Sequence, residues 1–213
     1  MQFVKRAESD RAICPMASAK VYTPLLRTRA PRADGRTWSI PMLVRMAAVI
    51  EHTDVSTGLS YADLVGAFEH ELGRWNSSTA ESLVQRKAGW EDVEAEAARA
   101  GGARGLMILD SLDQGAITSL SGRTKDCRLY LVGNPVIASR ILDIDPRGAF
   151  YVPFRVCLYD DGGPGGAGIY YDRPSSFLAA LGHPGLAEIG SELDAKIDDV
   201  VSAITKGRPV PRN

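Results

Sequence analysis

The stretch VPFRVCLYDDGGPGGAGIYYD, Val152 to Asp172, constrains this chain most. Two β-rich runs are joined by a glycine-rich loop too short for a crossover, so the strands pair as an antiparallel hairpin. Elsewhere helices and strands alternate, and the combination predicts an α+β class: an antiparallel-rich sheet with helices packed on it. Gly163, Gly165 and Gly168 have the spacing G-x-G-x-x-G. A dinucleotide loop needs a helix after its glycines. Here the strand IYYD comes at once, and no Lys-Ser/Thr pair makes a P-loop. The glycines, with Asp160 and Asp161, therefore read as a turn.

Local chemistry sets the other elements. RMAAVIEHTDV reads as a strand. Ser60 caps a helix with Asp63 in the capping-box position, and Tyr61, Leu64, Val65, Phe68 and Leu72 share one face. AGWEDVEAEAARAGG is a second helix, stopped by two glycines. RGLMILDSLD and DCRLYLVG are strands joined by a short turn or helix. Asn134 as N-cap and Pro135 in the first turn open another helix. AFYVPFRVCLYDD reads as one long strand, with Pro153 at an edge or a bulge because it cannot donate to a ladder. A final helix from Leu186 to Ile204 has apolar residues every three or four positions.

Residues 1–45 differ from the remainder of the chain: Lys and Arg outnumber acids nine to three, and four prolines interrupt any long element. They read as a basic N-terminal extension, either solvated and lying on the domain or an arm that binds a partner. The domain spans 46–206, and 207–213 form a tail. With 45% apolar residues among 213, the domain has material for a real core. A net charge of −1 gives no pull toward nucleic acid or anionic membranes. No apolar run spans a bilayer, so the expected compartment is the cytoplasm. Cys14, Cys127 and Cys157 are odd in number and lack metal-ligand spacing, as do His52, His70 and His183. No metal and no cofactor is expected.

The residues after the glycine loop carry the chemistry. In YDRPSS, Tyr171 to Ser176, a strand ends and a helix begins with Pro174 in its first turn. Free N–H groups and a positive dipole end meet the guanidinium of Arg173, a combination that attracts an anion. The alternative is that Arg173 pairs with surrounding groups and Pro174, Ser175 and Ser176 only cap the helix. Arg155 lies within an apolar strand, so it either pairs with a carboxylate or lines a cavity. Asn134 aims a second helix start at the same ligand, or is a cap alone. Glu69 is a solvated helix carboxylate, a carboxylate partner for an arginine, or a general base. The inward member of the pair Tyr170 and Tyr171 offers a hydroxyl.

FEHELG (Phe68–Gly73), LDQGAI (Leu112–Ile117), GNP (Gly133–Pro135), the V-P-F-R strand and YDRPSS occur in this order. From Val49 to Ile204 the chain resembles the bacterial family called domain of unknown function 302. The resemblance implies a compact α+β domain that is often dimeric, with no reaction assigned to the family. Members commonly carry Asp-His where this chain has Asp113-Gln114.

Two functions compete. One is an enzyme acting on an anionic small molecule, bearing sulfate, phosphate or carboxylate. It assists intramolecular displacement or elimination through Arg155, Arg173 and Glu69, and binds substrate through Asn134, Tyr171, Ser175 and Ser176. The other is a non-catalytic module of the same fold that binds a small molecule or a protein. Either could act as a homodimer or a heteromer.

Overall fold

The computed structural model describes residues 47–122 and 125–205. The extension and the tail lie outside them. Six strands form one sheet in the order β1 (His52–Ser56), β6 (Gly168–Asp172), β5 (Phe154–Asp160), β4 (Asp126–Gly133), β3 (Met107–Leu112) and β2 (Gly73–Arg74). All neighbours are antiparallel except β2 and β3. The hairpin of β5 and β6 is the centre of the α+β fold the sequence predicts.

Successive strand residues face opposite sides of a sheet. Tyr130 and Val132 of β4, Phe154, Val156 and Leu158 of β5, and Ile169 and Tyr171 of β6 join one core. The helices α1 (Tyr61–Glu71), α5 (Pro135–Ile144), α6 (Pro174–Ala179) and α7 (Pro184–Ile204) complete it. Ser60 accepts from the Asp63 N–H and donates to its carboxylate, so α1 starts where the capping pair places it. That start puts Leu64 and Phe68, one turn apart, wholly inside, with Phe68 against the Tyr130 ring at 5.0 Å. In α7 the apolar positions Leu186, Ile189, Leu193, Ile197, Val200 and Ile204 are all buried. Among the described residues no helix is long and apolar enough to cross a membrane.

Three local expectations change. The first strand begins only at His52, and Met46 lies outside the described residues. Ala149 and Phe150, expected to open the long strand, instead end a 3-10 turn, Pro146–Phe150, which Asp145 caps and in which Gly148 packs on Ile141. Strand β5 therefore starts at Phe154, after a cis Val152–Pro153 peptide. Pro153 sits neither at an edge nor in a bulge, since lying before the strand it withholds no ladder donor. The helix α2 (Ser77–Gln85) precedes the expected α3 (Trp90–Ala100), while α4 (Gln114–Ser119) joins β3 to β4.

The other sheet face contributes nothing to that core. Its side chains lie in rows fixed by register. One row is Leu112, Leu129, Cys157, Tyr170 and Asp54; the next is Cys127, Tyr159, Gly168 and Ser56. Beyond the first, Leu131 is paired with Arg155, and Asp172 with His52.

Candidate functional site

The site residues expected from the sequence fall into three groups. The first lies on the core side. Arg173 is held by two carboxylates of α7, with its Nη2 3.1 Å from Asp194 Oδ2 and 3.3 Å from Asp198 Oδ2. Asp194 also accepts the Ser175 N–H at 3.1 Å and the Ser175 hydroxyl at 2.6 Å. Tyr171 is buried and donates to Asp198 at 2.9 Å; burial, then the Asp198 charge, pushes its phenol well above its ordinary value. Ser176 donates to the Arg173 carbonyl and accepts from the Glu51 N–H. An anion does sit at the start of α6, but it is a carboxylate of the chain itself. In place of an open anion pocket, Arg173, Ser175 and Ser176 form a clasp between β6, α6 and α7.

Asn134 acts as the cap expected of it. Its Oδ1 accepts from Val136 and Ile137, and its amide donates to the Gly105 carbonyl at 2.8 Å. It borders a mostly apolar cavity of about 50 Å³ with Leu109, Pro153 and Leu193. Both its oxygen and its amide nitrogen are thus engaged within the fold.

The second group surrounds Glu69. Its carboxylate accepts from Tyr130 at 2.9 Å, with Arg128 Nη1 3.6 Å and Arg74 Nη2 3.7 Å away. Arg128 also pairs with Asp113, the N-cap of α4. Burial raises both the Tyr130 and Tyr61 phenols to about 12, so both are donors near neutral pH. Tyr61 Oη and Arg128 Nε are buried here without a hydrogen-bond partner. FEHELG and LDQGAI thus meet through Arg128, a strand residue that no motif in the sequence marks.

The third group occupies the face opposite the core. His52 Nδ1 lies 2.6 Å from Asp172 Oδ1, and Arg155 Nη2 lies 3.4 Å from Asp172 Oδ2. An ionised carboxylate only accepts, so Nδ1 carries a proton, and when the ring is neutral its lone pair is on Nε2. The His52 ring stacks on Tyr170 at 5.6 Å, and both side chains are open to solvent. Arg155 is 69% exposed and meets its carboxylate through one nitrogen, which leaves most of its donors free. Arg155 was expected at a site, but His52 and Asp172 lie 120 positions apart and only strand pairing unites them. Beside them the Tyr159 hydroxyl donates to Asp54 at 2.7 Å.

Gly168 makes room for that last contact, since a Cβ there would lie 2.5 Å from the Tyr159 ring. The third glycine of the nucleotide-like spacing is thus a seat for a ring. Gly168→Ala should swing Tyr159 off Asp54 and cost about 1–3 kcal/mol, the usual range for overpacking. Urea denaturation checks the cost. An unchanged midpoint would show that the ring has another place to lie.

Residues 83–204 match the family model described as "Domain of unknown function DUF302", and the chain belongs to that family. It is also similar to a solved structure, the uncharacterized conserved protein DUF302 from Bacillus stearothermophilus. The identity is 16%, the TM-score 0.49, and the match covers 74% of this chain and 98% of that one. No curated protein matches.

Proposed function

We propose that the chain is an acid–base enzyme for an anionic small molecule, working at His52, Asp172 and Arg155. The observation that carries this reading is the Asp172 carboxylate, which orients His52 through Nδ1 while bearing on a largely exposed Arg155. Asp172 fixes the imidazole tautomer, and Nε2 is the base. Arg155 holds the carboxylate, phosphate or sulfate of the substrate. In an elimination, Nε2 takes a proton from the carbon next to the departing group. The C–H electron pair becomes the new bond, and the leaving group departs with its own pair toward Arg155. A positioned base is worth about 10²–10⁴ in rate. Holding the departing charge adds to this, because only interactions stronger in the transition state accelerate the step. Glu69, the base expected from the sequence, lies in a separate group and engages Tyr130 and Arg128.

A second reading, binding without turnover, draws support from the carboxylates already beside Arg155 and Arg173.

The test is imidazole NMR of the full chain titrated with sulfate, phosphate and small carboxylates. The His52 resonances should report Nδ1–H, shift with at least one anion, and stop responding in Arg155→Ala. An Nε2–H tautomer, or an unchanged response in Arg155→Ala, would sink the site. For any compound found to turn over, His52→Gln should lower kcat by about 10²–10⁴ with the fold intact. Anion binding with no loss in that variant would favour the binding module.

A further inference from the structure

Cys127 and Cys157 lie on the same sheet face as the His52 group but belong to no part of it. Register pairs Leu129 with Cys157 and Cys127 with Tyr159, so the two thiols are diagonal neighbours on adjacent antiparallel strands. Both are free and partly buried. Burial, and then the neighbouring Cys127, raises the Cys157 thiol above its ordinary value. Their surroundings favour a poorly hydrated ligand: Leu129 and Tyr170 flank Cys157 in its row, and Tyr159 lies opposite Cys127. Among the described residues no group of three or more His, Cys, Asp or Glu is placed to hold a metal ion. A hard cation or tetrahedral zinc would find too few donors here, whereas a soft monovalent cation can be satisfied by two thiolates.

Diagonal neighbours in an antiparallel pair are about 7–8 Å apart at the backbone and somewhat closer at Cβ. A linear sulfur–metal–sulfur unit spans roughly 4.6 Å, with bonds of about 2.3 Å each. Both side chains must therefore turn toward each other to hold the ion, and Cys157 Sγ must leave the Leu158 carbonyl that it meets at 3.8 Å.

We propose that Cys127 and Cys157 form a two-thiolate site for a soft monovalent cation of the Cu(I) or Ag(I) class. On binding, each thiol gives its proton to solvent and its sulfur lone pair to the metal; nothing is oxidised or reduced.

The test is anaerobic titration of the reduced full chain against the Cu(I)–bicinchoninate complex. One Cu(I) per chain is expected. Cys127→Ser and Cys157→Ser should each weaken binding at least tenfold, and Cys14→Ser should leave it unchanged. Equal affinity in Cys127→Ser or Cys157→Ser, or loss in Cys14→Ser, would overturn the assignment. X-ray absorption of the loaded wild-type chain gives a measurement that does not depend on any variant folding. Two sulfur scatterers support the site, and nitrogen or oxygen neighbours refute it.

Discussion

Asp194→Ala will lower the folding free energy by about 3 kcal/mol, since hydrogen bonds to a charged group contribute about 1.5–3 kcal/mol each and fail together here. Asp194 accepts two hydrogen bonds from Ser175 and pairs with Arg173, and its side chain is only 9% exposed. Removing it leaves the first turn of α6 without an acceptor and part of the Arg173 charge uncompensated. Asp198 remains, so the guanidinium keeps one partner and the loss stops short of the roughly 3–5 kcal/mol for a fully broken buried pair. Asp194→Asn should lose less, because its amide oxygen still accepts from Ser175. Urea unfolding of the variants beside Asp198→Ala orders the three. Asp194→Ala within about 0.5 kcal/mol of wild type, the scatter of neutral surface changes, would dissolve the clasp.

Gly73→Ala will cost more than the usual overpacking range of about 1–3 kcal/mol and will reduce the yield of folded protein. A Cβ at Gly73 would lie 1.6 Å from the Ala100 carbonyl oxygen and 2.6 Å from the Gly102 nitrogen. Both obstacles are backbone, so no rotamer change relieves them. The end of α3 would have to leave β2, whose two residues are bound only to β3. The control is Gly66→Ala on the exposed side of α1, where nothing lies within 4 Å of the added carbon. That change should stabilise by about 1 kcal/mol through helix propensity. Thermal unfolding of both variants decides, and a Gly73→Ala protein as stable as wild type would contradict the close approach.

These glycines mark how far local chemistry reaches. Gly73 reads from sequence as a helix stop and Gly101–Gly102 as another, but their meeting face to face depends on parallel pairing of β2 with β3. Capping is local, so Ser60 with Asp63 and Asn134 with Pro135 place α1 and α5 correctly. The period of α7 and the turn between β5 and β6 are equally legible. The helix α2 escapes a sequence reading because SSTAESLVQ buries only Leu83 and presents almost no apolar stripe. AFYV resembles strand because its aromatic residues carry β propensity, while the turn chemistry of Asp145 and Pro146 prevails.

The site is legible in its chemistry more than in its partners. Arg173 and the start of α6 do attract negative charge, and the attracted groups come from α7. A signal exists: Asp194 and Asp198 stand four residues apart beside Leu193 and Ile197, where a stripe bound for the interior has no other use for carboxylates. The pairing of His52 with Asp172 leaves no such trace, because the register of an edge strand is set by pleat and pattern 120 residues away.

The clasp also bears on synthesis. Ribosomes deliver α7 after the sheet and the other helices, so Arg173 and Ser175 emerge before the residues that neutralise them. Until those two aspartates arrive, water alone serves the Arg173 charge and the apolar residues that α7 buries have no cover, so a translational pause ahead of α7 would prolong that exposure.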